Sequence, residues 1–196
     1  STFFFRTFYE NGDVLDYEDD IKQLQKSNWE IGLHTDPSSI DDLDKIRLEK
    51  EKLESITGKQ IIGNRVHFLN YNPELPNKLE KLGFNYDSSL RHSKDRIDEK
   101  EMGYSRIHGI IEFPVTLMDA YLFTYMKIRE EKIISEFQKT LDLGRSLSEN
   151  NVISVIWHEN VLKMKGGRVY KQILEFLTSQ DDVEIKRGID LVKILK

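Results

Sequence analysis

Apolar positions along the chain follow two rhythms. Short, nearly continuous apolar runs of strand character fall at Thr2–Arg6, Trp29–His34, Ile61–His67, Phe84–Asp87, Ile110–Val115, Val152–His158 and Val183–Lys186. Between them, apolar residues three and four apart predict helices over Tyr17–Lys26, Asp41–Thr57, Glu74–Leu82, Glu130–Leu147, Tyr170–Thr178 and Ile189–Leu195. In the second of these, Leu43, Ile46, Leu53 and Ile56 share one face while Lys and Glu fill the other. Strands that alternate with helices pair in parallel through crossovers, and a run such as Val152-Ile153-Ser154-Val155-Ile156-Trp157 is apolar enough for burial on both faces. The pattern predicts an α/β fold. Periodicity is compatible with a closed barrel or an open doubly wound sheet, and seven strand-like runs suit a barrel of seven or eight strands.

Length and composition narrow this to one domain over residues 1–196, since 38% hydrophobic and 10% aromatic content supply one substantial core. Thr2 to Phe5 reads as a buried strand with nothing leading into it, so the chain is expected to enter the fold after its first strand. Arg91–His108, rich in charge and poor in period, reads as a loop leaving the rim, either substrate-facing or simply solvated.

Charge excludes one class of partner. The net charge is -5 with both signs interspersed, which leaves no basic field for nucleic acid. No apolar run approaches the roughly 18 residues of a spanning helix, and Ser1 to Arg6 lacks the pattern of a signal peptide, so no membrane role is expected and the cytoplasm is slightly preferred. The absence of cysteine means that a metal would have to be held by His, Asp or Glu.

In a parallel α/β fold the carboxyl ends of the strands line the ligand site. Three of the five histidines stand at such ends: His34, His67 and His158. Arg65 and His67 are two apart on one strand and project to the same face, a pairing suited to oxyanion binding or metal ligation. Asp36, in the polar loop after His34, is a candidate ligand or substrate contact, and equally a turn or cap residue before Pro37. Asp119 near another strand end has the same two readings, sugar or metal contact against a helix-start carboxylate. Trp157 and Tyr86 are candidates to stack on a sugar ring, and otherwise core aromatics. Gly166-Gly167-Arg168 reads as an ordinary turn.

At these residues the sequence resembles the polysaccharide deacetylase family, the NodB-homology domain of family 4 carbohydrate esterases. The resemblance runs through Thr2-Phe3-Phe4-Phe5, Glu30-Ile31-Gly32-Leu33-His34-Thr35, Asn64-Arg65-Val66-His67, Leu82-Gly83-Phe84-Asn85-Tyr86-Asp87-Ser88-Ser89, Glu112-Phe113-Pro114-Val115 and Ile156-Trp157-His158, in that order. It implies a distorted (β/α) barrel and a metal-dependent hydrolase that removes an acetyl group from an N-acetylated sugar or polysaccharide. It further implies a divalent metal, with zinc expected, His34 as a ligand, His158 as the general acid and Arg65 orienting a catalytic carboxylate. Two departures stand out. The family's Asp-Asp motif belongs to a strand before Thr2, and Ser38 occupies the position of the second metal histidine, for which His67 is the expected substitute. Two other functions are compatible with these residues: a carbohydrate-binding or scaffolding domain that has lost catalysis, and an amide hydrolase acting on a nucleotide-linked sugar.

Overall fold

The computed structural model describes residues 1–10, 12–147 and 151–195. They gather into two compact units, one formed by Ser1–Leu90, Ser105–Glu112 and Lys186–Lys196, the other by Arg91–Tyr104 and Phe113–Ile185.

The first unit is built on a six-stranded sheet. Its strands are β1 (Thr2–Phe5), β4 (Glu30–Thr35), β5 (Gly63–Val66), β6 (Tyr86–Asp87), β7 (Ser105–Ile107) and β8 (Ile110–Glu112), with a small antiparallel hairpin of β2 (Phe8–Tyr9) and β3 (Gly12–Asp13) beside them. The order is β1-β4-β5-β6-β8-β7, parallel except for β7, which returns antiparallel on β8. Helices α1 (Glu18–Lys26), α2 (Leu43–Thr57) and α3 (Leu75–Lys81) make the crossovers, and α6 (Gly188–Leu195) completes the unit.

The core of this unit joins Ile21, Ile46, Leu53, Ile56 and Leu79 of the helices to Ile31, Leu33, Val66 and Ile110 of the strands. Helix α2 starts where Asp42 accepts hydrogen bonds from the Asp44 and Lys45 amides and stops where Gly58 turns left-handed at φ 61°. At the opposite end of the strands from their carboxyl termini, Glu30 accepts from the Thr2 hydroxyl (2.6 Å), the Ile189 amide (2.9 Å) and the Tyr86 hydroxyl (3.1 Å).

The second unit holds a parallel pair, β9 (Val115–Met118) and β10 (Ser154–Ile156), with α4 (Ile133–Leu147) and α5 (Lys165–Thr178). Leu117, Leu122, Ile133, Phe137, Val169 and Ile173 form its core.

The α/β class and the parallel pairing agree with the sequence pattern. Hydrogen-bonded closure of the strands into a barrel is not seen among the described residues, which form a six-stranded sheet and a separate pair. Ile110–Val115, expected as one strand, is two segments, because Pro114 has no N–H to give to a ladder. Val183–Lys186 forms no strand: Val183 and Ile185 alternate as a strand would, but the segment has no ladder partner and Ile185 is exposed. Gly166 and Gly167 lie in the first turn of α5, where a Cβ on either would collide with Val161 or the Leu162 carbonyl, so close packing rather than a turn uses them.

Candidate functional site

In the first unit, β4, β5 and β6 run parallel and bring their polar residues to one sheet edge. His34 is the register partner of Arg65. Its Nδ1 lies 2.8 Å from the Arg65 carbonyl oxygen, which can only accept, so Nδ1 carries the hydrogen. The His67 ring stands edge-on to His34 with centroids 5.1 Å apart and lies against Phe68 at 3.8 Å. Phe68 is a residue the sequence reading missed. It is 80% exposed and sits at φ 62°, left-handed backbone that disfavours a phenylalanine. Its only signal in the chain is an aromatic following the Arg65/His67 pair.

The Arg65 guanidinium donates from Nε to the Ser88 carbonyl (3.0 Å) and from Nη2 to the Ser88 hydroxyl (2.9 Å), and its centre lies 4.3 Å from the Phe4 ring. Burial pulls its pKa down to about 10, against the opposing pull of Tyr86, Asp87 and Glu112, so it remains a cation at neutral pH. Under it runs a buried polar chain. Thr35 Oγ1 donates to Asn64 Oδ1 (2.5 Å), and Asn64 Nδ2 (2.8 Å) and Ser89 Oγ (2.7 Å) both donate to Asp87 Oδ1. The Val66 amide donates to Ser89 Oγ (2.8 Å).

In the second unit, Asp119 follows β9 directly and His158 lies just beyond β10. Asp119 is fully buried. Its Oδ2 accepts the His158 backbone amide (2.7 Å), while Oδ1 accepts the Ala120 amide (2.6 Å) and faces His158 Nδ1 at 2.6 Å. A carboxylate fixed at three points thus sets the imidazole tautomer with the hydrogen on Nδ1. The ring keeps 40% of its surface open. The segment after Leu90 is pinned to the same strand. Arg91 Nη1 donates to the carbonyls of Val115 (2.7 Å) and Thr116 (2.6 Å) and pairs with buried Glu101 at 3.3 Å. The stretch expected as a loop is therefore anchored at its base by a buried ion pair.

The remaining candidates are placed otherwise. Tyr86 is a core tyrosine: its hydroxyl reaches Glu30, and a Cβ on Gly63 or Gly188 would fall 2.2 Å from its ring, so no face is left for a sugar. Trp157 packs with Phe123 (6.1 Å) and Tyr170 (5.8 Å) in the second core. Asp36 caps the turn at Pro37–Ser39, accepting from the Ser38 amide and hydroxyl, and its other oxygen pairs with Arg6 at 2.6 Å. These contacts hold its pKa below the usual carboxylate range despite burial. The cap reading applies there.

As a metal centre, the donor set is partial. His34 and His67 offer two imidazoles, but no group of three or more His, Asp or Glu side chains able to hold a metal occurs among the described residues. No helix among them is long and apolar enough to cross a membrane.

No family model matches the sequence. No curated protein matches it either. Among solved structures, the chain is similar to a "putative polysaccharide deacetylase" from Mycobacterium smegmatis, with a TM-score of 0.75 at 18% identity over 99% of this chain and 71% of that one. It is also similar to a 4-alpha-glucanotransferase from Thermococcus litoralis, with a TM-score of 0.60 at 16% identity, over 98% of this chain and 33% of that one. At these identities the likeness is one of fold: the chain has a deacetylase-like α/β fold.

Proposed function

We propose that the protein is a hydrolase that removes the acetyl group from an N-acetylated sugar or polysaccharide, and the Asp119–His158 dyad carries the reading. An imidazole held by a buried carboxylate through Nδ1, with 40% of its side chain exposed, can serve as a proton donor through Nε2 once the ring is charged. In amide hydrolysis the tetrahedral adduct collapses only when the departing nitrogen is protonated. His158 supplies that proton as the C–N bond breaks, and Asp119 balances the charge and holds the ring.

Arg65 is assigned to orienting an anionic or carbonyl oxygen, being a cation fixed by Ser88 and stacked on Phe4. Phe68 offers an open aromatic face suited to a sugar ring. A divalent cation, with zinc expected, would meet His34 and His67 and would polarise the acetamide carbonyl. Among the described residues it would have two imidazole ligands and no third His, Asp or Glu. A second reading, a carbohydrate-binding module without catalysis, is favoured by Ser38, whose hydroxyl is engaged by Asp36.

The test is release of acetate from free, polymeric and nucleotide-bound acetamido sugars, with metal content measured alongside. Release that falls about 100-fold or more in His158→Ala supports the reading. Binding of the glycan without release in any metal-supplemented condition replaces it with the binding module.

A further inference from the structure

The two most deeply placed carboxyls of the first unit have no part in the chemistry above. Asp87 and Glu112 are register partners on β6 and β8 and are both fully buried. Each uses one oxygen on ordinary donors: Asp87 Oδ1 on Asn64 and Ser89, Glu112 Oε1 on the backbone amides of Ser89 (3.2 Å) and Leu90 (2.9 Å). Their other oxygens, Oδ2 and Oε2, are buried with no hydrogen-bond partner among the described residues. Two buried carboxyls on adjacent strands have no donor for these oxygens if both are ionised, because an ionised carboxyl only accepts, and one proton supplies it.

We propose that Asp87 and Glu112 share a single proton, and that the pair acts as a positioning device for Arg65. The turn they hold, Ser88–Ser89–Leu90, is the surface on which the Arg65 guanidinium rests, and Ser89 also fixes the Val66 amide. Charge supports one proton: a single anion on the pair balances a single nearby cation, Arg65. The phenol facing the pair, Tyr71, has its own pKa raised by burial, so it adds no charge near neutrality. Burial and the proximity of Asp87 hold the Glu112 carboxyl well above its usual range, and burial raises Asp87 as well. Loss of the proton would set two anions against each other, pry the segment from the carboxyls to which it donates and release Arg65. Only the part assigned to Arg65 rests on the proposed hydrolysis; the shared proton does not.

The experiment is carboxyl and guanidinium NMR on the full chain, for wild type, Glu112→Gln and Asp87→Asn, over a range from about pH 5 to pH 9. In wild type one of the two carboxyls is expected to stay protonated at about pH 7, with the Arg65 Nε–H and Val66 N–H signals shifting when it ionises. Glu112→Gln, whose amide donates permanently, should keep those signals in place and abolish their pH dependence. Ionised shifts for both carboxyls at about pH 6, or unchanged pH dependence in Glu112→Gln, would overturn the proposal. Where acetate release is measurable, Asp87→Leu is expected to lose about 100-fold in kcat/KM through misplacement of Arg65, while Glu112→Gln flattens the alkaline limb of the rate profile. The NMR outcome stands whether or not that activity is found.

Discussion

At the scale of single residues, two side chains separate function from packing. Asp119 makes three short contacts, all with the backbone or ring of its neighbours, and Asp119→Asn keeps one oxygen of two, so its NH2 must face either the His158 amide or the Ala120 amide and His158 Nδ1 together. The variant is expected to fold with wild-type circular dichroism and to lose about 100-fold or more in acetate release. Phe68 gives the opposite signature. Its left-handed backbone costs about 1 kcal/mol, and glycine would relieve that while adding a similar entropic cost of its own. Phe68→Gly should therefore change stability by less than about 1 kcal/mol, where removal of a core phenylalanine costs about 3–5 kcal/mol. Calorimetry against glycan affinity reads both halves: unchanged melting with weaker binding marks an aromatic kept for a ligand.

At the scale of elements, close approach decides what is tolerated. Gly63 on β5 and Gly188 at the start of α6 press on Tyr86, and a methyl at either would overlap the ring. Gly63→Ala is expected to cost about 1–3 kcal/mol, read as a lowered denaturant midpoint with an unchanged slope. The same elements tell what the sequence could reveal. The long helices were legible because Ile46, Leu53 and Ile56, or Phe137 and Leu141, repeat on one face and meet a core there. The strand ends with His34, Arg65 and His158 were legible because an apolar run that stops on a polar ring marks the sheet edge. Ser105–Ile107 escaped, being short, charged and defined only by its hairpin through His108, at φ 54°. Val183–Lys186 misled for the converse reason, since alternation describes a side chain pattern and not the presence of a neighbour. The Asp119–His158 contact lies 39 residues apart in sequence and joins two strands. Only pairing of β9 with β10 makes it, so either residue alone read equally well as a cap or a loop histidine.

At the scale of the whole molecule, buried acids set the pH response. A group whose folded pKa is raised stabilises fully below its unfolded value, near 4.5 for Glu112, and that contribution is lost as pH climbs through the raised value. Glu49 and Glu101 are raised by burial as well and contribute slopes of the same sign. The readout is consequently a difference: the wild-type melting temperature should fall as the medium is made alkaline, and Glu112→Gln should fall less steeply. Parallel curves would assign the slope to the other acids.

The first unit also has a history written into its order of assembly. Its sheet begins with Thr2, whose hydroxyl accepts the Gly188 amide across 186 residues, and Glu30 draws Ile189 into the same node. A ribosome making this chain releases β1 and β4 long before the helix that fastens them exists. The early strands must wait for that fastening while the second unit is synthesised.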